Sequence, residues 1–289
     1  MSASIAELRK TIGTAQDLHS VVRTMKALAA SNIAQFEQSV RALDDYYRTI
    51  ELGLGVCIRN QELGVLPDER MGGVAEVVVF GSDQGLVGRF NDTVADHAIA
   101  MLAVNSRARI WTVSERVVAP LEDAGLTVAG VLAVPSSVTA ITPLVGQVLA
   151  EYEAGFSRGE LSELHLVYNK PSDATGYEPV ALRLLPLDEG WRSDMAKVAW
   201  PTQVLPEIMG KGATTLSHFV REFLFVSLFR ACAASLASEN ASRLAAMQRA
   251  DKNIDALLGD LNTSFHRRRQ DEIDAELFDL VAGYEAIAG

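Results

Sequence analysis

The sequence is poor in the residues that build disulfide, thiol-redox or zinc chemistry. Its 289 residues contain two cysteines, Cys57 and Cys232. No Cys-x-x-Cys pair occurs, so neither a zinc ribbon nor a dithiol site can be assembled, and two buried reduced thiols are expected. Proline is scarce: there are nine, with none before Pro67 and none after Pro206. Aromatics make up only 7%, a low share for a compact enzyme. An excess of basic charge is also missing. Lys+Arg is 26 and Asp+Glu is 37, so the net charge is 26 − 37 = −11. An overall acidic field is a poor basis for binding nucleic acid or anionic lipid. Long apolar runs are absent too. The most apolar stretch, Phe223 to Ala237, is interrupted by Arg230 and is too short to span a bilayer. Met1 to Lys10 has no apolar core of a signal peptide. No direct bilayer insertion is expected, and any membrane association would run through a partner.

What is present is a pair of alanine-rich, proline-free ends, which favour long helices. Apolar or small residues fall at Ile5, Leu8, Ile12, Ala15, Val22, Ala29, Ile33, Phe36, Val40, Leu43, Tyr47, Ile50 and Leu54. Steps of three and four define a heptad seam, with His19 and Lys26 at its two polar positions. A second stripe, Leu18, Val21, Met25 and Leu28, widens the apolar face. Ser4 and Glu7 are spaced for a capping box. A helix from Ser4 to Arg59 is predicted, roughly 80 Å long at about 1.5 Å per residue. A second, from Thr214 to Ile287, would run roughly 110 Å. Its later half carries Ile254, Leu258, Leu261 and Phe265. After His266-Arg-Arg-Arg-Gln270 the stripe resumes at Ile273, Leu277, Leu280, Tyr284 and Ile287.

Between the ends the pattern changes. Gln61 to Gly73 reads as a linker, with Gly64, Pro67, Gly72 and Gly73. Val74 to Phe80 is a short apolar run of the kind found in buried strands. Further strands are predicted at 108–113, 126–134, 163–168 and 180–185, with helices at 88–104, 114–124 and 139–156. The order βαβαβαββ implies an α/β fold, a Rossmann-like domain with a mostly parallel sheet and helices on both faces. Pro186 to Gly212 reads as irregular. The predicted organisation is an N-terminal coiled-coil helix (1–60), an inserted α/β domain (73–187) and a C-terminal coiled-coil helix (207–289). Each terminal helix is too long and too narrowly amphipathic to be buried in the insert. The two are therefore expected to pack on each other as an antiparallel coiled coil.

Chemistry-bearing motifs are few. Gly81-Ser-Asp-Gln-Gly-Leu-Val-Gly88 sits between a strand and a helix, where phosphate loops occur. It lacks the Gly-Lys-Ser/Thr of a P-loop and the G-x-G-x-x-G pattern. Ser82, Asp83, Gly85 and Gly88 are read as a structural turn. His19, His97, His165, His218 and His266 are scattered. No His/Asp/Glu cluster has metal-ligand spacing, so no metal, cofactor or catalytic residue is expected. Arg267-Arg-Arg269 is the one basic cluster, and a partner with acidic loops would be drawn to it. Arg9, Arg23 and Lys26 add positive charge on the N-terminal helix. Antiparallel packing is expected to bring the two basic groups into one zone.

Four segments together resemble one family. Val21-Val-Arg-Thr-Met-Lys-Ala-Leu-Ala-Ala-Ser31 is similar to the I-T-K-A-M-x-x-V-A-A-S-K signature of the gamma subunit of F-type ATP synthases. Gly81 to Asn91 resembles its S-D-R-G-L-C-G-G-L-N turn. Leu236 to Met247 resembles its A-S-E-x-A-A-R-M-x-A-M helix, and Arg269-Gln-Asp-Glu-Ile273 with Glu276 its R-Q-x-x-I-T-x-E-I stretch. The resemblance covers the whole chain in order.

It implies a non-catalytic rotor shaft that couples ion flow, of protons or sodium, to ATP synthesis or hydrolysis. The implied partners are the alpha and beta subunits of the catalytic ring, the epsilon subunit and the ring of membrane c subunits, at the cytoplasmic face of a bacterial membrane. It implies contacts to a beta subunit at Arg23, Met25, Lys26, Arg243, Arg269 and Gln270. Asn32, Gln84, Val87, Arg89 and Asp274 depart from the family pattern and mark a divergent member, in keeping with an alternative ATPase operon. The alternative reading is a coiled-coil interaction or chaperone-like module with an α/β head.

Overall fold

The computed structural model describes residues 4–59, 73–103, 107–173, 176–204, 206–208 and 212–288. The linker expected at 61–73 lies outside them except for Gly73. The chain divides into two compact units, residues 1–29 with 243–289, and residues 30–242.

The first unit is built from the start of α1 (Ile5–Ala42) and the later part of α7 (Gly212–Ala288). The capping box forms as the spacing predicts: the Ser4 N–H donates to Glu7 Oε2 at 2.8 Å, and the Glu7 N–H donates to Ser4 Oγ at 3.3 Å. The heptad seam is the covered face. Leu8, Ala15 and Ala29 are buried, while Ile5, Ile12 and Val22 are half-buried. On α7 the seam residues Ile254, Leu258, Leu261 and Phe265 are half-buried. The second α1 stripe is different. Leu18, Val21 and Leu28 are more than half exposed, so it does not widen the packed face. The α7 stripe also stops being covered. Arg269 through Tyr284 are all exposed, including Phe278 at 76% and Leu280 at 74%. The side chain of Ile287, the last member of that stripe, lies outside the described residues.

In the second unit the N-terminal helix is not continuous. It breaks at Leu43, and α2 (Asp44–Arg59) follows. The Leu43 N–H bonds back three residues to the Val40 carbonyl at 3.1 Å, tightening the last turn. Asp44 and Asp45 then open α2 with negative charge at a helix N-terminus, where the dipole favours it. Arg230 of α7 pairs with Asp44 at 3.0 Å and lies 4.7 Å from the Tyr47 ring.

The sheet follows the order β3-β2-β1-β4-β5. Its strands are β1 (Val74–Phe80), β2 (Ala108–Val113), β3 (Val128–Leu132), β4 (Leu161–Ser172) and β5 (Gly176–Leu185). All pairs are parallel except the β4–β5 hairpin. Alternation along β1 sends Val77 and Val79 to one face, where they pack with Val94, Ala98 and Leu102 of α3 (Phe90–Leu102) and Leu121 of α4 (Val118–Asp123). Val78 and Phe80 face α5 (Val138–Ser157) and the Leu228, Cys232 and Leu236 side of α7. Burial on both faces explains why β1 reads as an unbroken apolar run.

One element inside the stretch read as irregular is a helix, α6 (Glu189–Lys197). Asp188 caps it, its carboxylate accepting the Trp191 N–H at 2.8 Å.

Candidate functional site

The paired helices of the first unit carry a charged cluster. Lys26 Nζ donates to Asp251 Oδ2 at 2.8 Å. His19 Nε2 meets Asp251 Oδ1 at 2.9 Å and Asp255 Oδ1 at 3.2 Å. Arg23 Nε approaches Asp251 Oδ1 at 3.8 Å. Asp251 and Asp255 are four apart on α7 and share one face. The hydrogen bond from Lys26 holds the Asp251 carboxyl below its ordinary value against the opposing effect of burial, with the Lys26 charge and the His19 bond acting in the same direction. The two polar seam positions thus converge on one acid of the partner helix, a common way to fix register.

The register corrects one expectation. Further toward the N-terminus, the Arg9 guanidinium lies 5.8 Å from the Phe265 ring. Lys26 faces 251 and Arg9 faces 265, so the helices run antiparallel. The 267–269 cluster lies beyond residue 9, toward the start of α1. It is 16 to 18 residues from Asp251, about 25 Å along the helix. The 267–269 cluster therefore shares the zone of Arg9 and lies apart from Arg23 and Lys26.

The candidate partner residues are presented unequally. Arg23, Arg269 and Gln270 are exposed, while Met25 and Lys26 are half-buried. Gln270 Nε2 donates to Asp274 Oδ1 at 2.9 Å. Arg243 is only 6% exposed. In the chain by itself its side chain offers little surface, so it stands apart from the other five.

In the second unit the 81–91 turn is locked to the rest of its fold. Ser82 is fully buried; its Oγ donates to Glu239 Oε1 of α7, with the Gln84 carbonyl also at 2.9 Å. Asn91 clamps the Ser82 backbone from both sides: its Oδ1 accepts the N–H at 2.8 Å and its Nδ2 donates to the carbonyl at 3.0 Å. Asp83 Oδ1 accepts the Glu115 N–H at 3.1 Å, and Ser242 Oγ donates to the Val87 carbonyl at 2.6 Å. A Cβ on Gly81 would lie 2.2 Å from Val117 Cγ2, so only glycine fits there. Gly88 has φ +60, which glycine adopts without penalty. Leu86 holds φ +64 with its side chain 58% exposed, at a cost of roughly 1–2 kcal/mol. The side chains of Ser82 and Asp83 are thus committed to Glu239 of α7 and the Glu115 backbone. A cleft beside it, lined by Asp83, Glu115, Arg116 and Val131, presents two carboxylates and one guanidinium, an unfavourable setting for phosphate.

A second buried charge sits within the sheet. Glu76 of β1 is fully buried, and Arg109, its register partner on β2, lies 3.3 Å away. Arg109 also reaches Glu151 of α5 at 3.3 Å and stacks near the Trp111 ring at 5.5 Å. Burial pushes the Glu76 carboxyl up to about 7; Arg109 opposes the rise and Glu151 adds to it.

Sequence reasoning missed Asp251, Asp255, Glu239 and Glu76. A signal existed for Asp251, which stands three positions before the seam residue Ile254. Glu239 lies in the segment matched to the family, but nothing in its spacing tied it to Ser82.

Paired terminal helices whose register is fixed by a charge cluster, and an inserted α/β unit with a polar turn bonded to Glu239 and Ser242, define a helix–insert–helix class of protein. The sequence model of the ATP synthase family matches residues 4–287. The ATP synthase gamma chain of Anaeromyxobacter sp. (strain Fw109-5) is 25% identical, the match covering 98% of this chain and 99% of the relative. That of Geotalea uraniireducens (strain Rf4) is 23% identical, covering 99% and 100%. In solved structures, the fold resembles a chain of the Euglena gracilis mitochondrial ATP synthase (OSCP/F1/c-ring) with a TM-score of 0.62 at 16% identity, covering 98% of this chain and 94% of that one. A chain of the Tetrahymena thermophila mitochondrial ATP synthase (central stalk/c-ring) gives 0.54 at 19% identity, covering 80% and 99%. The chain belongs to the ATP synthase gamma chain family, as a divergent member. It is a non-catalytic central rotor-stalk subunit. Among the described residues no helix is long and apolar enough to cross a membrane.

Proposed function

We propose that this chain transmits torque between a ring of membrane c subunits and a catalytic ring of alpha and beta subunits, coupling ion flow to ATP synthesis or hydrolysis. The epsilon subunit joins it at the α/β unit, and the assembly sits at the cytoplasmic face of a bacterial membrane. The observation that carries this reading is the asymmetry of the first unit. Along 254–265 the Ile254, Leu258, Leu261 and Phe265 face of α7 is half-buried while the side chains between them are exposed, and from Arg269 to Tyr284 every side chain, apolar or charged, is exposed. A shaft whose faces differ offers each of several identical neighbours a different contact, and differential contact is what shifts conformational populations. Arg23 and Lys26 form one contact zone toward acidic beta-subunit segments. Arg269 and Gln270 form a second, meeting a beta-subunit loop.

The test is reconstitution of the full chain with alpha and beta subunits of the same source and assay of ATP hydrolysis. A stoichiometric complex is expected. Combined Arg269→Ala and Gln270→Ala should lower coupled turnover without changing the helicity of the free chain. Failure to assemble refutes the shaft reading; unchanged turnover refutes the assignment of the second zone.

A further inference from the structure

We propose that His19, Asp251 and Asp255 form a binding site for a divalent transition-metal ion of the Zn2+ class, which staples α1 to α7. The three side chains each offer one donor atom, and these atoms all lie within 4.8 Å of one another. His19 Nε2 stands 2.9 Å from one carboxylate oxygen and 3.2 Å from the other. A tetrahedral ion with bonds of about 2.0–2.1 Å places its donors about 3.3 Å apart; the two His19 distances are close to this, and the two carboxylate oxygens lie within 4.8 Å of each other. Imidazole with two carboxylates is a recognised zinc donor set, and a fourth position would be filled by water. The Asp255 side chain is 59% exposed, against 13% for His19 and 15% for Asp251, so the cluster has a shielded floor and one entrance.

The hydrogen bonding within the cluster points the same way. One ring nitrogen faces two carboxylate oxygens, but it carries at most one hydrogen. A single N–H serves one oxygen and leaves the other, on exposed Asp255, to solvent, whereas an ion would bond all three atoms at once. Lys26 does not block the site. It holds the other Asp251 oxygen, Oδ2, at 2.8 Å, as outer partners of metal-bound carboxylates do, while Arg23 Nε stands off Oδ1 at the longer distance of 3.8 Å. Lys26 and Arg23 together offset the charge of the two acids, so the site is expected to be selective for N/O-binding transition ions and of moderate affinity. Mg2+, which prefers oxygen donors and retains its water, is not favoured.

Sequence inspection finds no such site because its ligands come from opposite ends of the chain: His19 and Asp251 are 232 positions apart.

The experiment uses the full chain freed of metal by chelation. Zn2+ binding is measured by competition against a chromophoric chelator, and Co2+ binding by its visible spectrum. One equivalent is expected for the parent chain, with a tetrahedral Co2+ spectrum and a rise in melting temperature on Zn2+ addition that Mg2+ does not reproduce. His19→Gln and Asp255→Asn should each weaken that binding at least 10-fold. Because Asp255 is exposed, Asp255→Asn is the variant whose folding is least in question, and helicity measured by circular dichroism checks both. Binding that neither variant weakens would place the ion at another histidine or cysteine and overturn the proposal. So would the lack of any stoichiometric binding to the parent chain.

Discussion

Glu76 offers the sharpest test of the energetics. A carboxylate buried in a sheet is costly, and here burial outweighs the facing Arg109 and lifts the group from 4.5 to about 7. The folded state then holds a proton that the unfolded chain releases above about 4.5. Stability contributed by the protonated acid is complete below that point and is lost as pH rises through about 7. The full effect is about 3 kcal/mol, because each tenfold change in proton affinity is worth about 1.36 kcal/mol. Glu76→Gln keeps the shape and cannot ionise. At pH 8 the variant should be more stable than the parent chain by up to about 3 kcal/mol; at pH 5 the two should agree within about 1 kcal/mol. Urea unfolding of both chains from pH 5 to 8, followed by circular dichroism and by tryptophan fluorescence, measures this. Trp111 lies against Arg109 and reports on the site itself. Every other group is common to both chains, so the difference between them isolates Glu76. If the parent and variant show the same pH dependence, Glu76 is not a buried acid near neutrality and the reasoning fails.

Other changes follow from the same packing. Arg109→Ala removes the counter-charge of Glu76 and should cost about 3 kcal/mol at pH 8, with a smaller loss at pH 5, read from the same urea curves. Gly81→Ala drives a methyl group into Val117 and should destabilise by about 1–3 kcal/mol, seen as a lower unfolding midpoint. Ser82→Ala removes a buried donor from the Glu239 carboxylate, and about 1–3 kcal/mol should be lost. Asp251→Asn weakens the grip on Lys26 and His19; it should lower the melting temperature at low salt, with a smaller effect at high salt.

Much of the fold is legible in the sequence because it is written in periodicity. The seam from Ile5 to Leu54 stays buried or half-buried at every position, and the strand–helix alternation matches a mostly parallel sheet. The misses have physical causes. The break at Leu43 leaves the heptad phase intact, so hydrophobic spacing gives no sign of it; only the Asp44-Asp45 pair hints at a new N-terminus. Helix α6 is short and buries none of its residues fully, so it has no apolar stripe to read, and its one signal is the Asp188 cap. The stripe Leu18, Val21 and Leu28 has helical spacing yet is exposed, because spacing reports which residues share a face and not whether anything covers it. The charged cluster was half visible: His19 and Lys26 stand out as polar members of a seam, while Asp251 and Asp255 sit on a helix crowded with other acids.

The wide separation of His19 from Asp251 also has a consequence for biosynthesis. At ribosomal rates of about 5–20 residues per second, about 12–46 s pass between synthesis of the first and of the second. The sheet-containing unit is nearly complete before the shaft's second helix exists in full. Throughout that interval Leu8, Ala15 and Ala29 lack the α7 segment that completes their unit, and a nascent chain on a neighbouring ribosome presents the same unpaired face. The His19 imidazole and the Lys26 ammonium set into that face make self-pairing costly, since two copies would cover both polar groups without Asp251 to answer them. Their placement therefore guards the emerging chain against the wrong partner as well as aligning it with the right one.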